Sequence, residues 1–272
     1  MSKGHRWLWL ACLTVGLALS VSNAMGSWYL VDDFSGSSLD TNRWIVTTTT
    51  TSEGAGSVSI ENGRMMCLSP TRYTTAMAAL KVGDDKFFSL NDVGGTLQIA
   101  YDFQVAADTA RTYNNGVYLR DNSNVTKYTT VGYGSDSTTT RILVGSPADN
   151  YQSWASIWTA RQLHVELTTD ASTARIKVFN VDPDATGPAS YTAISADATS
   201  TTPGALLVDQ VIGTSSITSL DQLLYFQVDG SSNGDVGLSR VYFDNLYASA
   251  PVPEPMSLTL LAAGGFLLRR RR

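Results

Sequence analysis

Short runs in which every second residue is apolar, each broken after a few residues by a turn signal, dominate the middle of this 272-residue chain. A period of two sends successive side chains to opposite faces of a strand, so such runs bury one face by stacking sheet on sheet. Leu163, Val165 and Leu167 alternate with His164 and Glu166, and after Thr169-Asp170-Ala171-Ser172 the chain returns through Ala174 to Val181. Those residues predict a hairpin. Asn62-Gly63 follows Ser59-Ile60-Glu61 and precedes Arg64-Met65, and this pair favours the two positive φ angles of a type I′ turn. Glu61 therefore reads as a charge flanking a turn rather than as a catalytic acid. Further strands are expected over residues 96–105, 116–120, 127–134, 141–144, 223–228 and 236–247. Residues 182–202, rich in Pro, Ala, Ser, Thr and Asp, are expected to leave the sheet as a long excursion with a short helical turn over 191–196. The pattern as a whole predicts an all-β fold, a two-sheet antiparallel β-sandwich.

Both ends of the chain differ from this body. Lys3 and Arg6 precede an uncharged run over residues 7–22, and Ser22-Asn23-Ala24 offers the small residues that signal peptidase reads. That order predicts a signal peptide over 1–24, helical before cleavage. At the other end Pro253-Glu254-Pro255 leads into an uncharged stretch over 256–268 and then Arg269, Arg270, Arg271 and Arg272. Thirteen residues as a helix span about 20 Å, short of the roughly 30 Å hydrocarbon core. Such a segment suits transient lodging at a membrane, its arginines held on the cytoplasmic side.

The Pro-Glu-Pro motif, short apolar helix and terminal arginines closely resemble the PEP-CTERM sorting signal, here over 252–272. The resemblance implies a Gram-negative-type bacterium, export across the inner membrane with transient association there, and trimming by an exosortase. It also implies residence in the cell envelope, at the cell surface or in an extracellular matrix rich in exopolysaccharide.

Removing both ends takes away six of the 19 basic residues but one of the 24 acidic ones, so the remaining domain, residues 25–250, carries about −10. A chain that acidic, without a basic stripe, repels phosphate backbones, which excludes nucleic acid as a partner. Of its cysteines only Cys67 survives processing, so no internal disulfide can form and the core must suffice. Cys67 itself, within Met65-Met66-Cys67-Leu68, reads as a small strand residue.

The two ends of the body carry further motifs. Residues 31–44, with Val31-Asp32-Asp33-Phe34 and Arg43-Trp44, resemble the opening of concanavalin A-like, laminin-G-like and family 16 glycoside hydrolase jelly rolls. Val241-Tyr242-Phe243-Asp244-Asn245-Leu246-Tyr247 resembles their closing strand. The resemblance implies that the first and last strands are neighbours. It further implies a structural calcium ion where they meet, with Asp33 and Asp244 as ligands and Asp32 as a substitute; the other reading is that these aspartates cap turns or strand edges.

The inventory of chemical groups argues against catalysis. Glu53, Glu61 and Glu166 are the only glutamates of the body, and none belongs to the paired-carboxylate arrangement that a retaining glycosidase needs. One histidine and one cysteine cannot build a transition-metal centre. Gln162-Leu163-His164 is similar to the Gln-Ile-His motif of jelly-roll alginate lyases, which implies Gln162 and His164 as the alternative catalytic pair, with Tyr128, Tyr133 and Tyr242 as distant partners. The arginine-rich and tyrosine-rich motifs of that family are missing, and the favoured reading of His164 is a partly exposed strand histidine. Aromatic platforms point instead to glycan binding: Trp154 and Trp158 beside Tyr151, with Tyr118 on a nearby strand. Large aromatics also fill two-sheet cores, the role expected of Trp28 and Trp44. The expected function is a non-catalytic exported protein of the cell surface or matrix that binds glycan; a polysaccharide lyase and a purely structural matrix protein are the alternatives.

Overall fold

The computed structural model describes residues 28–71, 74–80, 88–89, 96–106, 112–121, 128–135, 140–145, 152–156, 161–170, 173–213, 221–230 and 238–249. The expected signal peptide over 1–24 and sorting tail over 252–272 lie outside these residues. Among the described residues no helix is long and apolar enough to cross a membrane.

The alternating runs form strands throughout. In chain order the first are β1 (Trp28–Asp32), β2 (Trp44–Thr48), the short pair β3 (Thr50–Thr51) and β4 (Gly54–Ala55), β5 (Ser57–Glu61) and β6 (Arg64–Ser69). Next come β7 (Thr75–Leu80), β8 (Phe88–Ser89), β9 (Leu97–Val105), β10 (Thr112–Asp121), β11 (Tyr128–Ser135) and β12 (Thr140–Gly145). The last are β13 (Gln152–Ser156), β14 (Gln162–Thr169), β15 (Thr173–Asn180), β16 (Leu206–Gly213), β17 (Asp221–Gly230) and β18 (Ser239–Ser249).

Two antiparallel sheets of eight strands each contain nearly all of them. The first runs β16-β15-β14-β9-β18-β6-β5, with β1 also on β18; the second runs β13-β12-β11-β10-β17-β7-β2, with β8 on β17. The opening and closing strands are neighbours as expected, with Trp28 opposite Ser249 and Leu30 opposite Tyr247. The β5–β6 hairpin turns at Asn62 (φ 52°) and Gly63 (φ 72°), the two positive angles that Asn-Gly tolerates.

The inward faces of both sheets make one core. Leu163, Val165 and Leu167 of β14 and Ile99, Tyr101 and Phe103 of β9 meet Ala76, Ala78, Val117 and Phe226 of the second sheet. Phe226 packs edge-on to Tyr101 at 5.8 Å and lies 4.7 Å from the ring of Phe243. Cys67 is fully buried in this core, as a small strand residue should be. Trp44 is buried there too (1% exposed), whereas Trp28, at the strand start, is half-buried and outside it.

The Val31–Trp44 motif is explained by local chemistry. The Asp32 carboxylate accepts from the backbone N–H of Phe34 (2.8 Å) and the indole N–H of Trp44 (2.8 Å), which tightens a turn where Phe34 takes φ 50°. Phe34 and Trp44 then stack at 5.5 Å and close the end of the core.

The excursion after β15 is ordered by its own hydrogen bonds. Asn180 Nδ2 donates to the carbonyls of Ser200 (3.0 Å) and Thr202 (2.9 Å), and Arg161 Nη1 donates to Ser200 (3.1 Å). Its helical turn falls at Pro188–Ser190, not at 191–196. Pro188 presets the turn, and Tyr191 leaves it in an extended conformation because its ring is buried against Phe179 and Leu206.

Candidate functional site

Alternation along β14 that sends Leu163 and Val165 inward sends His164 to the outer face of the first sheet. There it stands opposite Asp102 of β9, and Asp102 stands opposite Asp244 of β18. Three polar residues thus form one row across three neighbouring strands. Beyond Asp244 the strand bulges: its register on β9 slips between Asp244 and Tyr247, and Asn245 takes the left-handed φ of 48°. The extra residue shifts the phase, so that Val241 and Phe243 face the core before the bulge and Leu246 and Ala248 after it. Asn245 and Tyr247 are thereby aimed outward beside Asp102.

The contacts follow from this placement. His164 Nδ1 lies 2.6 Å from Asp102 Oδ1, and Asn245 Nδ2 donates to Asp102 Oδ2 at 2.9 Å. A carboxylate only accepts, so Nδ1 is the protonated nitrogen of the imidazole facing it. Nε2 is buried without a hydrogen-bond partner, its nearest carboxylate being Glu166 Oε1 at 3.9 Å. Tyr191, brought back by the excursion, stacks flat on the imidazole with centroids 4.0 Å apart and planes 4° from parallel. The expectation of a partly exposed His164 is corrected: it is 2% exposed, because the excursion folds over it.

A cavity of about 340 Å³ opens between this row and the excursion. Asp102, His164 and Asn245 lie on its sheet side, Tyr191 and Tyr247 form aromatic walls, and residues from Val181 to Gly187 form the rim. Gly187 at the rim has φ 143°, a backbone conformation that favours glycine, and it lies against the Tyr247 ring. Among the described residues no lysine or arginine lines the cavity.

Its electrostatics are those of an anionic pocket. Burial first, then the charges of Asp102 and Asp33, push the Asp244 carboxyl up to about 6 against the hydrogen bond from the Asn245 N–H and the positive charge of Arg64. Burial, and secondarily the carboxylates of Asp102, Asp182 and Glu166, push the Tyr191 hydroxyl up to about 12, although the Asp182 N–H donates to it at 3.1 Å. Tyr247 moves the same way, through burial and then Asp102, Asp244 and Asp33. Glu166 is raised by burial, with His164 and Lys177 pulling against it.

The residues singled out in the sequence fare differently. Gln162 is exposed at the start of β14 and is not part of the cavity lining, so the Gln162–His164 pair does not converge on it. Tyr242, on the same outer face, donates to Glu61 Oε2 (2.9 Å) and lies under Arg64, whose guanidinium is 4.2 Å from its ring centre. Tyr118 is buried (5% exposed) beside Ala79 and Met77 on the other sheet, so it offers no open platform. Trp154 falls on β13, but its side chain and the whole of Trp158 lie outside the described residues, as do the side chains of Tyr128 and Tyr133.

The calcium expectation can be set against the geometry. Asp33 Oδ1 accepts from the Ser35 hydroxyl (2.7 Å) and backbone N–H (3.1 Å), bonds that hold its carboxyl below the ordinary value. Both oxygens of Asp32 are engaged by Phe34 and Trp44. Among the described residues no group of three or more His, Cys, Asp or Glu side chains is placed to hold a metal ion. Calcium takes six to eight oxygens, which beside Asp33 and Asp244 would have to include backbone carbonyls and waters.

No family model matches the chain, and no curated protein matches it. Among solved structures it is similar to the alginate lyase from Klebsiella pneumoniae, with a TM-score of 0.50 at 10% identity over 79% of this chain and 97% of that one. It is also similar to the lectin UEA-II complexed with galactose, with a TM-score of 0.47 at 12% identity over 82% of this chain and 98% of that one. A sialidase gives 0.49 at 12% identity over 83% of this chain, which spans 19% of the sialidase chain. The fold is a two-sheet antiparallel β-sandwich of the jelly-roll kind.

Asp102, Tyr191, Tyr247 and Asn245 were not singled out as a site from the sequence. The Asn in a strand otherwise rich in aromatic and β-branched residues was the one available signal, since Asn tolerates the left-handed conformation of a bulge.

Proposed function

We propose that this chain is an exported, non-catalytic protein of the cell surface or extracellular matrix that binds glycan in the Tyr191–Tyr247 cavity. The cavity carries the reading: its volume of about 340 Å³ suits one or two sugar rings, near the low end of the ~300–1,000 Å³ of small-molecule sites. Tyr247 supplies a partly exposed ring with a polar tip beside the buried Tyr191, and Asp102 and Asn245 supply the acceptor and donor pair that hydroxyl recognition needs. The jelly-roll likenesses, which include a lectin and an alginate lyase by their names, agree with a glycan as the partner.

Sealing of the histidine supports the non-catalytic half of the reading. A general base must reach the proton it removes, and His164 Nε2 is buried and turned toward Glu166. A lyase acting on uronates remains the second reading, favoured by the 2.6 Å His164–Asp102 pair beside two tyrosines. Against it, no lysine or arginine among the described residues lines the cavity to neutralise a uronate carboxylate. Delivery depends on signal peptidase at the leader and an exosortase at the Pro253-Glu254-Pro255 tail.

The deciding experiment incubates the full chain and its Tyr247→Ala variant with a glycan panel, with and without a calcium chelator, following retention and product release together. Retention of intact glycan that Tyr247→Ala removes is the expected outcome. Unsaturated products would establish the lyase, retention lost to the chelator would restore a calcium role, and no retention at all would leave the purely structural role.

A further inference from the structure

We propose that the cavity selects a sugar residue bearing a protonated amine, so that the partner is an amino-sugar polymer rather than a neutral or uronic one. This rests on the glycan-binding reading and narrows it to one ligand class.

Charge makes the case first. Asp102 and Asp182 line the cavity, Asp244 adjoins Asp102 in the same cross-strand row, and among the described residues no lysine or arginine faces in. Arg64 is not among the described lining residues; its guanidinium donates to Gln104 Oε1 (2.6 Å) and lies over the Tyr242 ring, and its charge opposes the upward shift of Asp244. His164, the one lining group able to carry positive charge, has its Nδ1 on Asp102 and its Nε2 toward Glu166. Among the described lining residues a bound carboxylate or phosphate would meet like charge, while an ammonium would meet the Asp102 carboxylate, with Asp182, whose Oδ1 accepts from the Asp184 N–H (3.0 Å), adding negative charge at the rim.

Geometry adds the rest. Each oxygen of Asp102 accepts one hydrogen bond, from His164 and from Asn245, and a carboxylate oxygen can take a second. Ammonium donors can therefore be received without dismantling the row, through charge-assisted bonds stronger than those a hydroxyl makes. Tyr191 and Tyr247 flank the space, and tyrosine faces attract cations as well as sugar C–H groups. Burial chiefly raises the Asp244, Tyr191 and Tyr247 ionisations, and the charge of Asp102 adds to each shift.

The test is calorimetric titration of the full chain in mild detergent with three probes: a glucosamine oligomer, its N-acetylated counterpart of equal length, and an oligouronate. Acetylation removes the charge and keeps the backbone. The glucosamine oligomer should bind about tenfold tighter than the acetylated one, or about 1.4 kcal/mol, and the advantage should shrink with added salt. Asp182→Asn, which removes a charge at the rim while keeping its shape, should cut the advantage by about threefold with unchanged melting. Tyr247→Ala should remove binding of both. Equal affinities, or preference for the acetylated oligomer or the uronate, would overturn the amine assignment. Glycan binding would then still stand, provided Tyr247→Ala abolished it. Glucosamine binding indifferent to both variants would be attraction to the acidic surface at large and would also overturn the assignment. Binding of none of the probes would overturn this inference and count against the glycan reading with it.

Discussion

Asp102→Ala tests whether the cross-strand row holds the excursion in place. Asp102 is the common acceptor for His164 Nδ1 and Asn245 Nδ2, so its removal leaves the buried imidazole with neither nitrogen partnered and the left-handed Asn245 without its anchor. Hydrogen bonds to charged groups contribute about 1.5–3 kcal/mol, and an orphaned buried donor costs about 1–3 kcal/mol. Asp102 keeps 17% of its side chain exposed, and water entering the site will take up part of that loss. The expected destabilisation is therefore about 2–3 kcal/mol, read as a shift in the midpoint of urea unfolding. Adding His164→Phe keeps an aromatic face under Tyr191 and removes the orphan. The double variant should recover about 1–2 kcal/mol relative to additivity, within the range of couplings between touching residues. A loss under about 0.5 kcal/mol for Asp102→Ala, or strict additivity, would refute the view that the row is a coupled unit.

Three further outcomes are expected. Asp244 is raised from 3.8 to about 6, so the folded state holds its proton more tightly than the unfolded state. The stabilisation this gives is complete below 3.8 and lost as pH rises through about 6. Because the group is about half exposed, its size is roughly 1 kcal/mol after screening, and Asp244→Asn should flatten that part of the stability–pH curve measured by urea unfolding. The Tyr101 hydroxyl is buried in the core without a hydrogen-bond partner; Tyr101→Phe should stabilise the protein by about 1 kcal/mol in calorimetry, and a loss of that size would reveal a partner. Burial pushes the Cys67 thiol up to about 12, so alkylation followed by mass spectrometry should leave it unmodified in the native protein and label it fully in denaturant.

Much of the fold was legible locally. The Asn62-Gly63 turn, the β14–β15 hairpin and the inward set Leu163, Val165 and Leu167 follow from turn chemistry and a period of two, which need only a few consecutive residues. β7 and β16 were missed: Ala76, Ala78 and Ala79 give β7 little strand signature, since alanine is depleted in strands. β16 follows the long excursion and gains its meaning only from pairing with β15. His164 was placed on the correct face but with the wrong exposure, because alternation tells which way a side chain points and not what later covers it.

Strand-forming alternation, turn positions, the acidic charge of the body and the delivery segments expected at its ends are properties of neighbouring residues, and the amino-acid sequence alone determined them. The candidate site is different. Asp102 lies 62 residues from His164 and 143 from Asn245, and they meet because β14, β9 and β18 became neighbours and one bulged residue turned Asn245 and Tyr247 outward. Which strands pair across such distances is settled by the shared burial of whole sheet faces, so only the tertiary structure could decide that these residues would enclose a common space.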